Sequence, residues 1–216
     1  MHQWQPAQHV ERRGRFVTLA PLEADRDVED LYALAHATPA DSWIWTYLPY
    51  GPFATQAAMH LWLQQLAGRP DLLFHSVTSL ELQRKVGLLA IMNVVAEAGR
   101  AELGHIWYAP LVHKSKVNTE TCYLLLAYLF DELGYRRAEW KCDNANARSK
   151  ATAQRMGFVY EGVFRQHMLV KGRNRDTAWF SMLDGEWPTR KAHFERYLYG
   201  DAPVSLAALN GVGHVP

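Results

Sequence analysis

The chain has 216 residues, of which 49% are hydrophobic, and its formal net charge is +1. These values predict one globular domain with a full core, over residues 1–199, followed by a loosely ordered tail over residues 200–216. They argue against a basic nucleic-acid-binding surface over the whole protein, and no apolar run or signal-peptide pattern points to a membrane, so we expect a cytoplasmic protein.

The first part of the chain predicts one strand, two helices and an aromatic loop between the helices. The loop runs from Asp41 to Phe53 and is rich in large aromatic residues, prolines and glycine, which favours a rigid, irregular segment. The flanking elements are a strand at Arg15–Leu19, a helix at Arg26–Ala37 and a helix at Gln56–Ala67.

The rest of the chain mixes strands and helices. Apolar periodicity and turn residues predict these elements and favour an α/β class, also described as α+β. The strands are Leu72–Thr78, Lys85–Val95, Ala101–Ala109, Arg137–Cys142, Val159–Leu169 and Thr177–Leu183, and the helices are Val117–Leu133, Asn146–Met156 and Trp187–Leu198.

A polar loop leads into the long helix. His113, Lys114, Ser115 and Lys116 stand directly before it. The first N–H groups of a helix have no intrahelical partner, and together with the helix dipole they favour an anion. Because the two lysines add positive charge at the same place, we expect a pyrophosphate that is held mainly by the main chain.

A second polar motif follows the strand that ends at Cys142. It reads Asn146-Ala-Arg-Ser149 and is followed by Met156-Gly157-Phe158. Together with Thr119-Glu120 after the polar loop, it resembles the Gcn5-related N-acetyltransferase (GNAT) superfamily, within the branch of the RimJ and RimL type enzymes. The resemblance covers about residues 15–198. It departs from the family pattern in the polar loop, where Lys116 and Asn118 occupy positions that usually hold small residues.

The resemblance implies a fold and a reaction. The fold would be a central, mixed but mostly antiparallel sheet of about seven strands flanked by helices, in the order β-α-α-β-β-β-α-β-α-β-β. The reaction would be acyl transfer from acetyl-coenzyme A to a primary amine, on a protein N-terminus or a small molecule, by direct attack in a ternary complex.

The resemblance also implies which residues bind acetyl-coenzyme A. Backbone groups of Ile106, Trp107 and Tyr108 would hold the pantetheine arm and polarise the thioester carbonyl. Asn146 would hydrogen-bond the same arm, Ser149 would also contact acetyl-coenzyme A, and Asn146 in addition suits a helix cap. The phosphates would bind at His113, Lys114, Ser115, Lys116, Val117, Asn118 and Thr119.

Ser149 and Glu102 are the candidate catalytic residues. Ser149 would give a proton to the leaving sulfur, although a serine in a first helical turn can instead satisfy backbone groups. Glu102 would take a proton from the amine, directly or through water, if it faces a wet cavity; the alternative is a strand-end charge beside Arg100. His105 is a second candidate base, and in a regular strand it would point to the opposite face from Glu102.

The aromatic loop is the candidate acceptor site. Trp43, Trp45, Tyr47 and Tyr50, with His105, could hold a cationic or peptide-like amine, or they could form an aromatic plug over the helix ends. Nothing in the sequence identifies the amine, the acyl-chain preference or the oligomeric state, although the resemblance is compatible with a homodimer.

Other classes of function remain less well supported by the sequence. Cys122 and Cys142 lack metal or Cys-x-x-Cys spacing and predict reduced core residues, and the ten histidines predict no metal site. A non-catalytic acyl-coenzyme A sensor or scaffold is the alternative interpretation, because the loop lacks glycines and Ala153 stands where many relatives in the family carry a tyrosine. Basic patches at His113–Lys116 and Lys171–Arg175 could suggest nucleic acid, but no basic stripe with interleaved aromatic residues supports it.

Overall fold

The structure is a computed structural model that describes residues 4–212. Its strands are ordered β1-β2-β3-β4-β5-β6-β8-β7 in one sheet, and each strand pair with a recorded register is antiparallel. The strands are β1 (Arg12–Arg13), β2 (Val17–Pro21), β3 (Leu72–Ser79), β4 (Arg84–Val95), β5 (Arg100–Tyr108), β6 (Arg137–Asp143), β7 (Val159–Val170) and β8 (Arg173–Leu183). The predicted α/β class and mostly antiparallel sheet are confirmed.

Six α-helices accompany these strands in residues 4–212. They are α1 (Ala24–Ala35), α2 (Gln56–Ala67), α3 (Val117–Ala127), α4 (Ala147–Arg155), α5 (Trp187–Tyr199) and α6 (Leu206–Leu209). A π-helical turn, Tyr128–Glu132, continues α3 to a left-handed Gly134, where the sequence predicts the end of the long helix. The predicted element order therefore holds from β2 to β8.

Two differences from the expected fold have simple causes. The sheet has eight strands instead of about seven, because Arg12 and Arg13 pair with Leu19 and Thr18 and add the short strand β1. Strand β8 begins at Arg173 instead of at the predicted Thr177, because Lys171 and Gly172 both adopt positive φ and form a tight turn directly before it.

Contacts between residues divide the chain into two compact units. The N-terminal unit contains residues 7–94 and 103–124, and the C-terminal unit contains the described residues of 1–6, then 95–102 and 125–212. Strand β5 contributes residues 100–102 to the C-terminal unit and residues 103–108 to the N-terminal unit.

The N-terminal unit has an aromatic and aliphatic core. Helix α2 begins where the Thr55 hydroxyl accepts the Ala58 N–H at 3.1 Å, and it buries Met59, Leu63 and Leu66 at helical spacing. The other buried members of this core include Leu31, Phe74, Leu88, Trp45 and Trp107. Each fully buried large side chain stabilises the fold by roughly 1.5–3 kcal/mol.

The C-terminal unit is built on β6, β7 and β8. Strand β6 alternates, with Ala138, Trp140 and Cys142 on one face and charged residues on the other. The register pairs Trp140 with Phe180 and Lys141 with Trp179. One face of the strand is therefore apolar and the other is ionic.

The segment expected to be a loose tail contains α6 and a polar anchor in its described part. Leu206 is buried, and the side-chain oxygen of Asn210 accepts hydrogen bonds from Arg190 at 3.1 Å and His193 at 2.8 Å. The Asn210 amide nitrogen donates to the Arg155 carbonyl at the end of α4, at 2.8 Å. Residues 213–216 lie outside the described part of the chain.

Candidate functional site

The predicted phosphate loop lies in the N-terminal unit, directly before α3. The Ser115 hydroxyl donates to the Val112 carbonyl at 2.6 Å and accepts the Val117 N–H at 3.2 Å. The Lys116 carbonyl accepts the Glu120 N–H at 2.9 Å, which closes the first turn of the helix. Because His113, Lys114 and Ser115 are exposed, the positive end of the helix dipole carries accessible polar and cationic side chains.

The structure explains how this loop forms without glycine. Lys114 has φ 65° and takes the left-handed conformation, whose cost to a residue with a side chain is roughly 1–2 kcal/mol. Lys116 and Asn118, which replace small residues of the family pattern, show no such positive φ. The Lys116 ammonium lies 4.9 Å from the centre of the Phe16 ring, in a cation–π contact.

The Thr119-Glu120 pair is buried. The Thr119 side chain is fully buried, so the predicted phosphate would bind this residue through its main-chain atoms. The Glu120 carboxylate accepts N–H groups from Arg15 at 2.8 Å, Phe16 at 2.6 Å and Val17 at 2.8 Å. Glu120 therefore ties the start of α3 to the start of β2, which the motif alone did not reveal.

Strand β5 supplies the predicted pantetheine-binding backbone. Ile106 is half-buried, while the side chains of Trp107 and Tyr108 are buried. Burial raises the pKa of Tyr108 well above its usual value, so its hydroxyl stays protonated. The side chains of Trp107 and Tyr108 therefore pack in the core. This agrees with the prediction that only the main chain of this segment binds the pantetheine arm.

His105 interrupts the regular geometry of β5, because its φ is 53°. Its Nδ1 lies 3.1 Å from the Tyr50 hydroxyl, and its ring stacks on Tyr50 with centroids 5.7 Å apart and tilts against Phe74 at 5.1 Å. Burial raises the pKa of Tyr50, so the phenol remains neutral. The predicted acceptor residues Tyr50 and His105 are thus in direct contact.

The other aromatic residues of the acceptor hypothesis separate into surface and core. Trp43 is 37% exposed and contacts the His113 ring edge-on at 5.0 Å, and Tyr47 is half-buried. Trp45 is fully buried, because the 3₁₀ helix Pro39–Trp45 turns it into the core against Trp107. Trp45 therefore supports the aromatic cluster from inside and does not line its surface.

Sequence analysis did not single out Trp62, which belongs to the same aromatic cluster. Its ring lies 4.4 Å from Tyr50 and 4.8 Å from Phe53, between centroids. The signal was present, since Trp62 adjoins the buried face formed by Met59, Leu63 and Leu66 on α2. The half-buried Tyr50, Phe53 and Trp62 form a continuous aromatic surface without a charged member.

In the C-terminal unit, the predicted Asn146 and Ser149 lie at the start of α4. The Asn146 side-chain oxygen accepts the Ser149 N–H at 3.1 Å, which confirms the helix cap. The Ser149 hydroxyl oxygen accepts the indole N–H of Trp140 at 3.0 Å. Burial raises the pKa of the nearby Cys142 thiol, and a hydrogen bond with Ser149 opposes that shift.

The predicted base, Glu102, is 5% exposed and forms an ion pair with Lys141 at 2.7 Å. Arg100, the partner considered from the sequence, is 3.4 Å from Glu139 instead. The Lys141 ammonium is also 3.4 Å from Glu139 and 3.9 Å from the centre of the Trp179 ring. Strands β5 and β6 thus bury Glu102 within an ionic network.

The network continues to the edge strand β7. Arg137 binds Glu139 at 2.8 Å and Glu161 at 2.6 Å, and Ser181 donates to Glu161 at 2.6 Å. The hydrogen bonds from Arg137 lower the pKa of Glu161 to about 2. Sequence analysis missed this network, because its members come from strands that are distant along the chain.

A cleft also opens at the bulge between β7 and β8, where the register shifts between Phe164 and Met168. Its volume is about 810 Å³. It is lined by Phe164, Arg165, Gln166, His167, Asn174 and Asp176.

Two kinds of feature are absent from residues 4–212. Within residues 4–212, no three His, Cys, Asp or Glu side chains are grouped so that they could hold a metal ion. None of the helices in this range has both the length and the apolar character that crossing a membrane requires.

Comparison with known proteins identifies the family. Residues 17–159 match the profile of the acetyltransferase (GNAT) domain. A crystal structure of a GCN5-related N-acetyltransferase from Brucella melitensis superposes with a TM-score of 0.91 at 36% identity, covering 97% of both chains.

Two more distant proteins add detail. The Bacillus subtilis (strain 168) protein named "Putative ribosomal N-acetyltransferase YdaF" is 30% identical over 105 residues, which are 49% of this chain and 57% of that protein. The alignment thus spans little more than half the length of this relative. The microcin C7 self-immunity acetyltransferase MccE, solved with acetyl-CoA and AMP, has a TM-score of 0.68 at 20% identity over 79% of this chain and 93% of that one, and shares the fold. The chain therefore belongs to the GNAT acetyltransferases and is an acyltransferase.

Proposed function

We propose that the protein transfers the acetyl group of acetyl-coenzyme A to a primary amine, by direct attack of the amine in a ternary complex. The observation that supports this most is the start of α3. There, a left-handed Lys114 and a serine cap leave exposed cationic and polar side chains at the positive end of the helix dipole. This donor set fits a diphosphate, and GNAT acetyltransferases use acetyl-coenzyme A.

Each residue that is predicted to bind acetyl-coenzyme A has a specific role in this proposal. The loop residues His113, Lys114, Ser115 and Lys116 and the first-turn residues Val117, Asn118 and Thr119 bind the phosphates. Main-chain groups of Ile106, Trp107 and Tyr108 bind the pantetheine arm and stabilise the negative charge that develops on the carbonyl oxygen. Because the Asn146 oxygen caps α4, its amide nitrogen is the group that would reach the same arm.

Acetyl-coenzyme A supplies an acyl group that is activated as a thioester. Glu102 accepts, through water, the proton that the amine loses, because its carboxylate is 5% exposed and is fixed by the ion pair with Lys141. Ser149 gives its hydroxyl proton to the leaving sulfur. Hydrolysis is limited because the amine, not water, is held for attack.

The acceptor amine would bind at the aromatic surface of Tyr50 and His105, with Trp43 and Tyr47 nearby in the same unit and Trp45 behind them. An uncharged aromatic surface favours an acceptor molecule in which the group next to the amine is apolar or cationic. An apolar group would pack against the rings, and a cationic group would make a cation–π contact. Both a protein N-terminus and a small-molecule amine fit this description. We further propose that residues 1–199 act as one acetyltransferase domain.

The test is an acceptor screen with the purified chain. Peptides with free N-termini and a panel of small amines are mixed with acetyl-coenzyme A, and release of free coenzyme A thiol is followed together with the mass of the acceptor. We expect thiol release matched by acetylation of at least one amine. Thiol release that no amine accelerates would contradict N-acetylation.

Ser149→Ala tests the mechanism. We expect kcat to fall about 100-fold, because a general acid contributes about 10²–10⁴-fold, while the Kd of acetyl-coenzyme A stays unchanged. Thr152→Ala, one turn later on α4, is the matched control and should retain wild-type turnover. Unchanged turnover in Ser149→Ala would remove Ser149 from the mechanism.

A further inference from the structure

Trp140 holds the hydroxyl group of Ser149 through a hydrogen bond between strand β6 and helix α4. The indole Nε1 lies 3.0 Å from the Ser149 oxygen. The Trp140 side chain is 4% exposed, and its ring packs against Phe158 with centroids 5.8 Å apart. Its strand register opposite Phe180 fixes the backbone below it. The donor therefore has a defined position.

The chemistry of the two groups sets the direction of this hydrogen bond. An indole N–H can only donate, whereas a hydroxyl has one proton and two lone pairs. The Ser149 oxygen must therefore accept from Trp140, and its own proton must point elsewhere. Donation to the oxygen also draws electron density from the O–H bond, which makes the proton easier to give away.

The backbone of Ser149 is held as firmly as its oxygen. The Asn146 cap accepts the Ser149 N–H at 3.1 Å, and the Asn146 N–H donates to the Asp143 carbonyl at 2.8 Å. Cys142 is the other close side chain, and sulfur is a weak hydrogen-bond acceptor. The thiolate of the leaving coenzyme A is a stronger hydrogen-bond acceptor than the buried Cys142 thiol. The Ser149 hydroxyl can therefore give its proton to that thiolate when the two groups are close.

We propose that Trp140 is a positioning residue for acetyl transfer, whose indole N–H fixes Ser149 as a proton donor to the leaving sulfur. This inference rests on the proposed function. In the step concerned, the new C–N bond is already formed. The C–S bond then breaks with its electron pair remaining on sulfur, the carbonyl reforms, and the Ser149 proton moves to sulfur to give the thiol. Ser149 recovers a proton from solvent, to which Glu102 releases the one that it took from the amine.

Trp140→Phe removes the N–H and retains most of the ring. We expect kcat to fall about 5- to 10-fold, the effect of one lost hydrogen bond, with the Kd of acetyl-coenzyme A changed less than about 2-fold. In a Ser149→Ala background, the same substitution should change kcat less than about 2-fold, because its partner is already gone. Equal slowing in both backgrounds would show a merely structural role and overturn the proposal.

Trp187→Phe is the matched control. Trp187 is also 4% exposed in the same unit, and its indole N–H donates to Asp131 at 2.7 Å. This variant loses the same kind of buried hydrogen bond, so it should lower the melting temperature without changing kcat. A fall in kcat as large as that of Trp140→Phe would mean that general destabilisation explains the effect, and would count against the proposal.

A second measurement needs neither acetyl-coenzyme A nor a folded Trp140 variant. In the wild-type protein, the indole N–H of Trp140 gives a nitrogen-15 NMR cross-peak, and Ser149→Ala should shift it by removing the acceptor, while the Trp187 cross-peak stays in place. An unmoved Trp140 cross-peak would overturn the hydrogen bond itself. By contrast, a shifted cross-peak in a protein that acetylates no amine would contradict the proposed function and leave the geometry intact.

Discussion

The starts of α3 and α4 use different means to serve one proposed reaction. At α3, the Ser115 hydroxyl accepts the N–H of Val117, and the exposed Lys114 and the half-buried Lys116 stand before the helix. At α4, the Asn146 side chain caps the helix and Trp140 holds the Ser149 oxygen, so the polar groups are fixed by neighbouring side chains. The first arrangement suits the binding of a flexible anion by charge, whereas the second suits the placement of a single proton.

The comparison also shows how each start is anchored. Glu120 in the first turn of α3 binds three consecutive main-chain N–H groups near β2. Trp140 binds the first turn of α4 through one side-chain hydrogen bond. Removing the first anchor should therefore cost stability, and removing the second should mainly cost rate.

The largest expected effect is that of Glu120→Ala on stability. Three N–H groups lose their acceptor, and a buried unsatisfied donor costs about 1–3 kcal/mol, so we expect the free energy of unfolding to fall by about 3–5 kcal/mol. Urea denaturation measures it. The exposed Glu81→Ala is the control and should remain within about 0.5 kcal/mol of wild type. A loss below about 1 kcal/mol for Glu120→Ala would contradict an essential anchor.

Substitutions of Ser115 and Asn146 test the difference between the starts of α3 and α4. Ser115→Ala and Asn146→Ala should each cost about 1 kcal/mol of stability, the usual effect of losing a cap. Ser115→Ala should then raise the Kd of acetyl-coenzyme A with little change in kcat, whereas Asn146→Ala should lower kcat by releasing Ser149 and should also raise this Kd, because its amide nitrogen would hold the pantetheine arm. Ser205→Ala, which removes the cap of α6, is the control for the stability loss that a missing cap causes. If Asn146→Ala leaves kcat unchanged, or if Ser115→Ala lowers kcat as much as Asn146→Ala does, the division of tasks between the helix starts is wrong.

The lysines before α3 should have smaller effects. Lys114→Ala and Lys116→Ala should each raise the Kd of acetyl-coenzyme A about 2- to 5-fold at low salt, because each charge near a helix end contributes about 0.3–1 kcal/mol. Calorimetric titration at increasing salt should show the effect shrinking. Lys171→Ala in the β7–β8 turn should leave Kd unchanged. Salt-independent binding by wild type would argue against electrostatic recognition of phosphate.

Lys114→Gly separates conformation from charge at the same position. Because Lys114 is left-handed, glycine should relieve a cost of roughly 1 kcal/mol and raise the melting temperature while it weakens binding. Lys114→Ala gives the charge loss without this relief. Equal melting temperatures for the two variants would contradict strain at Lys114.

The smallest predicted effect is a change in the titration of Cys142. Burial raises the pKa of its thiol and the Ser149 hydrogen bond lowers it, so Ser149→Ala should raise this pKa further. Because the folded protein favours the neutral thiol, the contribution of Cys142 to the free energy of unfolding is fully present below the pKa of the unfolded state, about 8.5. This contribution is lost as the pH rises through the higher pKa of the folded state. Alkylation rates against pH, in a Cys122→Ala background, should move to higher pH. A move to lower pH would refute the contact.

The sequence predicts the element order well because periodicity and local caps encode it. Thr55, Gly134 and Asn146 act where their residue types suggest, and each does so through atoms close in the chain. The left-handed Lys114 was not foreseen, since glycine is the usual residue for that conformation.

Contacts between distant segments could not be read in the same way. Trp43 and Trp45 are two residues apart in an aromatic loop, and only the local 3₁₀ geometry decides that Trp43 is exposed and Trp45 is buried. The sequence offered Arg100 as the alternative partner of Glu102, but Lys141 reaches this carboxylate from another strand. Pairing across a sheet depends on register, which a single sequence does not state.

The anchor at Asn210 limits how this protein can be shortened. Asn210 binds the last turn of α4 and two residues of α5, and its amide nitrogen would lie 3.2 Å from a methyl group added at the left-handed Gly157. Trimming the chain before Leu206, as crystallographers do to remove apparent tails, would take away a buried leucine and the restraint on the far end of the helix that carries Ser149. We therefore expect a protein truncated at this end to have a lower turnover and to be obtained in lower yield.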